Sequence, residues 1–145
     1  MLVADATGLP IGLHVDSATP HEITLAPITL ASIRVPRKGP GRPRTNPKEL
    51  IADKAYSSRA FRSALRHRGI KPTIPTARLR PGAKRKPGRP VVVGPNFKHR
   101  WTVERTFAWL YAFRRLRIRY ERLIVNFRGF CLLACAMLAL DRLLK

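Results

Sequence analysis

Two stretches rich in Pro, Gly, Lys and Arg, residues 34–48 and 76–100, interrupt this chain, and they restrict its fold more than any other feature. Proline fixes φ and donates no backbone N–H, so neither stretch can continue a helix or serve as a central strand. The apolar, periodic sequence is thereby confined to three blocks, before, between and after the two basic linkers. With 145 residues and 45% hydrophobic content, the blocks can build one domain with a real core, and the chain is not a disordered basic tail. Its 29 Lys and Arg against 8 Asp and Glu give a net charge of +21. A surplus of that size predicts a polyanionic partner, with DNA or RNA the default, and a structural RNA binder would be equally basic.

Within the blocks, periodicity and punctuation set the expected elements. Leu2-Val3-Ala4 and Ile11 to Val15 read as two strands around a turn. Thr19 as N-cap, Pro20 as first helical residue and Glu22 as capping-box partner predict a helix over about 20–33. Leu50 to Asp53 reads as a strand, and Ser57 then caps a helix that Gly69 ends, with Phe61 and Leu65 on its buried face. Ile70 to Ile74 is a further strand. Trp109, Phe113, Leu116, Tyr120 and Leu123 step by four and three, which makes one apolar stripe, with Arg100, Glu104, Ala108 and Tyr111 on another face. Asn126 marks a break before a last helix packed through Leu132 to Leu144. The order β-β-α-β-α-β-α-α describes an α/β domain. A hairpin at residue 2 is a poor place to begin a sheet, which suggests a strand upstream.

The run Phe130 to Leu140 is too short to span a bilayer and reads as a core helix, so no membrane is expected. Cys131 and Cys135 lie in that run without neighbouring ligands and read as buried thiols of a reducing cytosol. His21, His67 and His99 show no ligand spacing, and His14 reads as a half-buried strand residue. The aromatic residues follow core periodicity, not a base-stacking pattern.

Asp53 and Glu104 are separated by fifty residues that include fourteen Lys or Arg and no carboxylate. Isolated carboxylates in so basic a chain point to a divalent metal held beside nucleic-acid phosphate. Asp53 stands at a strand end, where a rigid backbone fixes a ligand, although aspartate is also common in turns. Lys54 beside it could touch phosphate. Glu104 lies four residues after Arg100, and a surface ion pair is the plain alternative. Among Arg100, Arg105, Arg114 and Arg115 its carboxylate stays ionised. Gly41-Arg42-Pro43 and Gly88-Arg89-Pro90 resemble the minor-groove AT-hook core, or, more simply, a basic linker in which Arg42 and Arg89 grip phosphate.

Four segments together carry a family resemblance: 51–58 (IADKAYSS), 69–75 (GIKPTIP), 100–110 (RWTVERTFAWL) and 113–121 (FRRLRIRYE). In order and spacing they resemble the DDE transposases of bacterial insertion sequences, specifically the insertion sequence 5 family. The resemblance covers essentially the whole chain. It implies an RNase H-like mixed sheet with flanking helices, in which three acidic residues bind two Mg²⁺ (or Mn²⁺) ions and cut and join element ends. Asp53 matches the second acidic residue and Glu104 the third, so both are the implied catalytic and metal-binding residues. Arg100 and Arg105 would orient Glu104 or bind DNA. In the family signature around the glutamate, Phe97 replaces a Tyr and Tyr111 replaces a Lys.

The first aspartate of the family precedes the hairpin, and neither Asp5 nor Asp16 matches it. The chain thus resembles the C-terminal part of a transposase catalytic domain lacking its first strand. The implied partners are DNA (element ends and target), an upstream transposase segment and a homo-oligomer, in the bacterial cytoplasm at the nucleoid. Two rival readings are a non-catalytic basic nucleic-acid-binding protein and an RNase H-like nuclease of another kind.

Overall fold

A computed structural model of the chain describes residues 1–76 and 94–144. These residues fall into two compact units, Met1–Thr45 with Trp101–Lys145, and Asn46–Arg100. The element order follows the β/α alternation read from the sequence, with three α-helices instead of two after the last strand, and each unit holds a two-stranded sheet.

In the first unit, β1 (Leu2–Ala4) pairs antiparallel with β2 (Pro10–Leu13), with a register shift between Val3 and Ala4. The connecting turn is closed by Asp5, whose Oδ1 accepts the Thr7 N–H at 2.9 Å, the Thr7 hydroxyl at 2.7 Å and the Leu9 N–H at 2.9 Å. Gly8 in this turn has φ +90°, and a Cβ there would lie 3.1 Å from Thr106 Oγ1 and 3.2 Å from Trp109. Backbone and packing thus both demand glycine.

Helix α1 runs Glu22–Ala31 and buries Ala26, Thr29 and Leu30. It begins two residues later than the Thr19 capping box implied. His21 is the N-cap without a side-chain bond, and the Thr24 hydroxyl instead donates 2.7 Å to the His21 carbonyl. Its first buried residue is Ala26, so no core contact holds Thr19 and Pro20 in the helix.

The C-terminal block forms α3 (Trp101–Tyr111), the single turn α4 (Arg114–Arg117) and α5 (Ile124–Leu143). Leu2, Leu110 and Ala134 make a buried cluster, packed by Leu13, Phe113, Leu116, Cys135 and Leu138. The expected apolar stripe is therefore divided. Phe113 and Leu116 reach the core, whereas Tyr120 and Leu123 are exposed because the chain leaves helix after Arg117. Asn126 is no break; it lies in the first turn of α5.

Helix α5 departs furthest from expectation. It is 20 residues long with mean hydropathy 1.7, long and apolar enough by length and composition to cross a membrane. It is not a fully buried core helix. Only Ala134 is buried, Cys131, Cys135 and Leu138 are half-buried, and Leu132, Leu133, Met137, Leu140 and Leu143 are exposed. Burial raises the Cys135 thiol to about 11, with Cys131 adding to the effect, so both cysteines stay protonated at neutral pH.

In the second unit, β3 (Glu49–Ile51) pairs parallel with β4 (Lys71–Thr73), joined through α2 (Arg59–His67). Ser58, one residue after the expected Ser57, caps α2 by accepting the Phe61 N–H at 3.0 Å. Gly69, at φ +71°, ends it. The Ile70 N–H reaches back to the Leu65 carbonyl and the Gly69 N–H to the Arg66 carbonyl, both at 2.9 Å. Ile70 and Leu65 are each buried, which completes a Schellman stop with its apolar contact.

Candidate functional site

Asp53 follows β3 by two residues, and the Ala52 N–H still reaches the Thr73 carbonyl at 3.4 Å. Its carboxylate accepts the Lys54 N–H and caps the 3-10 turn Lys54–Tyr56. The side chain is 52% exposed, and Oδ2 stands 4.0 Å from Arg100 Nη1, at the end of the short helix Pro95–Arg100. A turn cap and a solvent-facing carboxylate are therefore combined in one residue. One oxygen is engaged locally and the other faces outward beside a guanidinium.

Two residues that sequence reasoning missed hold this region together. Glu49 accepts from the Thr73 hydroxyl, from Asn96 Nδ2 at 2.8 Å and lies 3.5 Å from Lys71 Nζ. Those groups, Thr73 first, hold its carboxyl below the usual range. Glu49 thus joins β3, β4 and the segment that carries Arg100. Arg62 is buried, and its Nη2 donates to the Ile74 carbonyl at 2.7 Å, the Pro75 carbonyl at 3.1 Å and Ser57 Oγ at 3.1 Å. It ties the turn after Asp53 to the end of β4. Burial, with Arg66 nearby, lowers its pKa. The available sequence signal was its place between Phe61 and Leu65 on the apolar side of α2.

Glu104 stands in the other unit, exposed on α3 on the same side as Ala108 and Tyr111. Its neighbours in sequence turn inward. Thr106 is fully buried and donates 2.8 Å to the Gly8 carbonyl. The Arg105 guanidinium lies 4.5 Å from the Trp101 ring centre and 4.9 Å from that of Trp109, and donates 2.9 Å to the Thr7 carbonyl. Arg105 is thereby committed to the protein. The aromatic residues are not all core either, since Trp101, Phe107 and Tyr111 are exposed and the last two stack at 6.1 Å.

Lys54 and Arg42 are exposed. Arg42 sits in a loop closed by mutual hydrogen bonds between Val35 and Arg44, 3.0 and 2.8 Å, so the first linker folds back on itself and is not extended. Arg89 and most of the second linker lie outside the described residues. Asp16 is bound to the Ser17 N–H at 2.7 Å and lies 3.4 Å from His14 Nε2, and these contacts lower its pKa, the Ser17 bond most. Among the described residues no group of three or more His, Cys, Asp or Glu is gathered. A carboxylate oxygen is the donor type that Mg²⁺ prefers, and the outward oxygen of Asp53 fits as one ligand of a site that needs others.

The model of the transposase DDE domain matches residues 1–139. A relative from Burkholderia cepacia, the "Putative transposase for insertion sequence element IS402", is 37% identical over 142 residues. That match takes in 98% of this chain but only 62% of the relative's length. No solved structure matches the chain. The matched segment covers both basic linkers, the Asp53 turn and α3 with Glu104, and the chain belongs to the family of DDE-domain transposases.

Proposed function

We propose that this chain is the C-terminal part of the catalytic domain of an insertion-sequence transposase, of the insertion sequence 5 type and RNase H-like in fold, acting on DNA in bacteria. Asp53 and Glu104 would hold divalent metal, Mg²⁺ or Mn²⁺. Bound metal supplies Lewis acidity at the scissile phosphate and a nucleophilic oxygen at neutral pH. Arg100, 4.0 Å from Asp53, places positive charge where a phosphate would approach the carboxylate. Glu49 and Arg62 fix the strand ends and the turn from which Asp53 projects.

The observation that carries this reading is the Asp53 turn. A carboxylate leaves a parallel strand pair, faces solvent and has a guanidinium opposite, inside a segment matched by the transposase family. The family's first acidic residue would come from outside these 145 residues, since neither Asp5, bound to Thr7 and Leu9, nor Asp16, bound to Ser17 and beside His14, matches its place before the hairpin. The test uses the chain joined to an upstream segment that supplies the missing aspartate. Asp53→Asn and Glu104→Gln should each abolish Mg²⁺-dependent cleavage of element-end DNA while DNA binding persists. Asp5→Asn and Asp16→Asn should leave cleavage intact. Full cleavage in Glu104→Gln, or its loss in a folded Asp5→Asn variant, would overturn the assignment.

A further inference from the structure

Residues 114–128 contain six arginines, no lysine and one carboxylate, Glu121. The structure divides these arginines into two sets. Arg115 Nη1 donates 2.7 Å to Glu121, whose side chain is only 6% exposed, and its guanidinium lies 5.2 Å from the Phe130 ring centre and 5.9 Å from that of Tyr120. Arg119 donates 3.0 Å to the Glu121 carbonyl and lies 5.2 Å from the Phe127 ring centre. These two pin the loop between α4 and α5 against the start of α5. Arg114, Arg117, Arg122 and Arg128 are exposed, and among the described residues none pairs with a carboxylate.

We propose that these four exposed arginines bind the phosphates of a DNA backbone, in addition to the phosphate contacts expected of the basic Pro/Gly linkers. The inference rests on the reading that the chain acts on DNA. Four exposed guanidinium groups within fifteen residues and without a carboxylate partner leave positive charge uncompensated, and a polyanion offsets that cost. Guanidinium, unlike ammonium, offers a planar fork that matches phosphate oxygens. The sole local carboxylate is already taken by Arg115, so it does not compete. Leu116 packs on the core beneath α4, and the Arg115 and Arg119 contacts fix the loop. Little side-chain or loop freedom beyond the four arginines themselves is then lost on binding. An anionic membrane is the rival partner, since α5 also exposes Leu132, Leu133, Leu140 and Leu143. Family membership favours DNA.

The experiment measures affinity for a random-sequence duplex against salt for the 145-residue chain and for a variant with Arg114, Arg117, Arg122 and Arg128 all replaced by Gln. Each phosphate contact removed should lower the log–log slope by about 0.9, so the quadruple variant should lose about 3 to 4. Single variants R117Q and R122Q should each lose about 0.9, which keeps the test decisive should the quadruple variant misfold. An unchanged slope in folded variants, with the slope instead lost on neutralising Arg37, Lys38, Arg42 and Arg44, would overturn this inference and leave the transposase reading standing. Wild-type chain without salt-dependent DNA binding would overturn both. Loss of binding to vesicles of anionic lipid, with DNA binding intact, would assign the surface to a membrane and overturn the proposal.

Discussion

Helices α2 and α5 show opposite relations between sequence and burial. Helix α2 is short, nine residues, and sharply two-faced, with Phe61, Arg62 and Leu65 buried and Arg59, Arg66 and His67 exposed. Helix α5 is more than twice as long and apolar on nearly every side, yet it buries Ala134 alone. A two-faced helix states in its sequence which side meets the core. A helix that is apolar all round does not, and local sequence leaves its burial undecided.

The comparison can be broken most directly at Leu65. Leu65→Ala should cost about 2 to 5 kcal/mol, because the side chain is almost fully buried and its truncation leaves a cavity. Chemical denaturation would measure it, and a cost no greater than that at an α5 leucine would end the contrast. Arg62→Met should follow at about 2 to 3 kcal/mol, since it removes bonds from a charged donor and leaves the Ile74 carbonyl without that donor. Methionine keeps most of the side-chain volume, so the loss reports the hydrogen bonds. Ser58→Ala removes the α2 cap and should cost about 1 kcal/mol.

Acid sharpens the comparison on the second unit. The Glu49 carboxyl is held below its ordinary value, first by the Thr73 hydroxyl. Its contribution is fully present above the unfolded pKa and is lost as pH falls through the lower folded value. Stability below about pH 4.5 should therefore decline less steeply in Glu49→Gln than in wild type. The smallest effect belongs to α5. Leu140 is 55% exposed, and Leu140→Asn should change stability by about 0.5 kcal/mol or less. A loss above about 2 kcal/mol would mean that this leucine is covered in solution.

Much of the site region was legible because its signals are local. The Gly69 stop, the strand before Asp53 and the apolar pair Phe61 and Leu65 follow from residues a few positions apart. The α2 cap was misplaced by one residue, from Ser57 to Ser58, because adjacent serines offer the same hydroxyl. Arg62 was missed because an arginine in a basic chain reads as solvated charge, and only the carbonyls of Ile74 and Pro75 reveal it as a buried brace. The packing of Arg105 was hidden for the same reason. Its partners, Thr7 and the two tryptophans, lie partly at the other end of the sequence.

The sequence by itself determined the basic character of the chain, the order of strands and helices, and the motif pattern that places it among DDE transposases. Charge and periodicity are sums over neighbours, so they need no tertiary contact to be read. Only the tertiary structure decided which arginines are spent on the protein and which remain open to a partner. It also decided that Glu49 braces two strands and that most of α5 lacks cover. Each of those outcomes depends on whether a group from elsewhere in the fold satisfies a charge, a hydrogen bond or an apolar face.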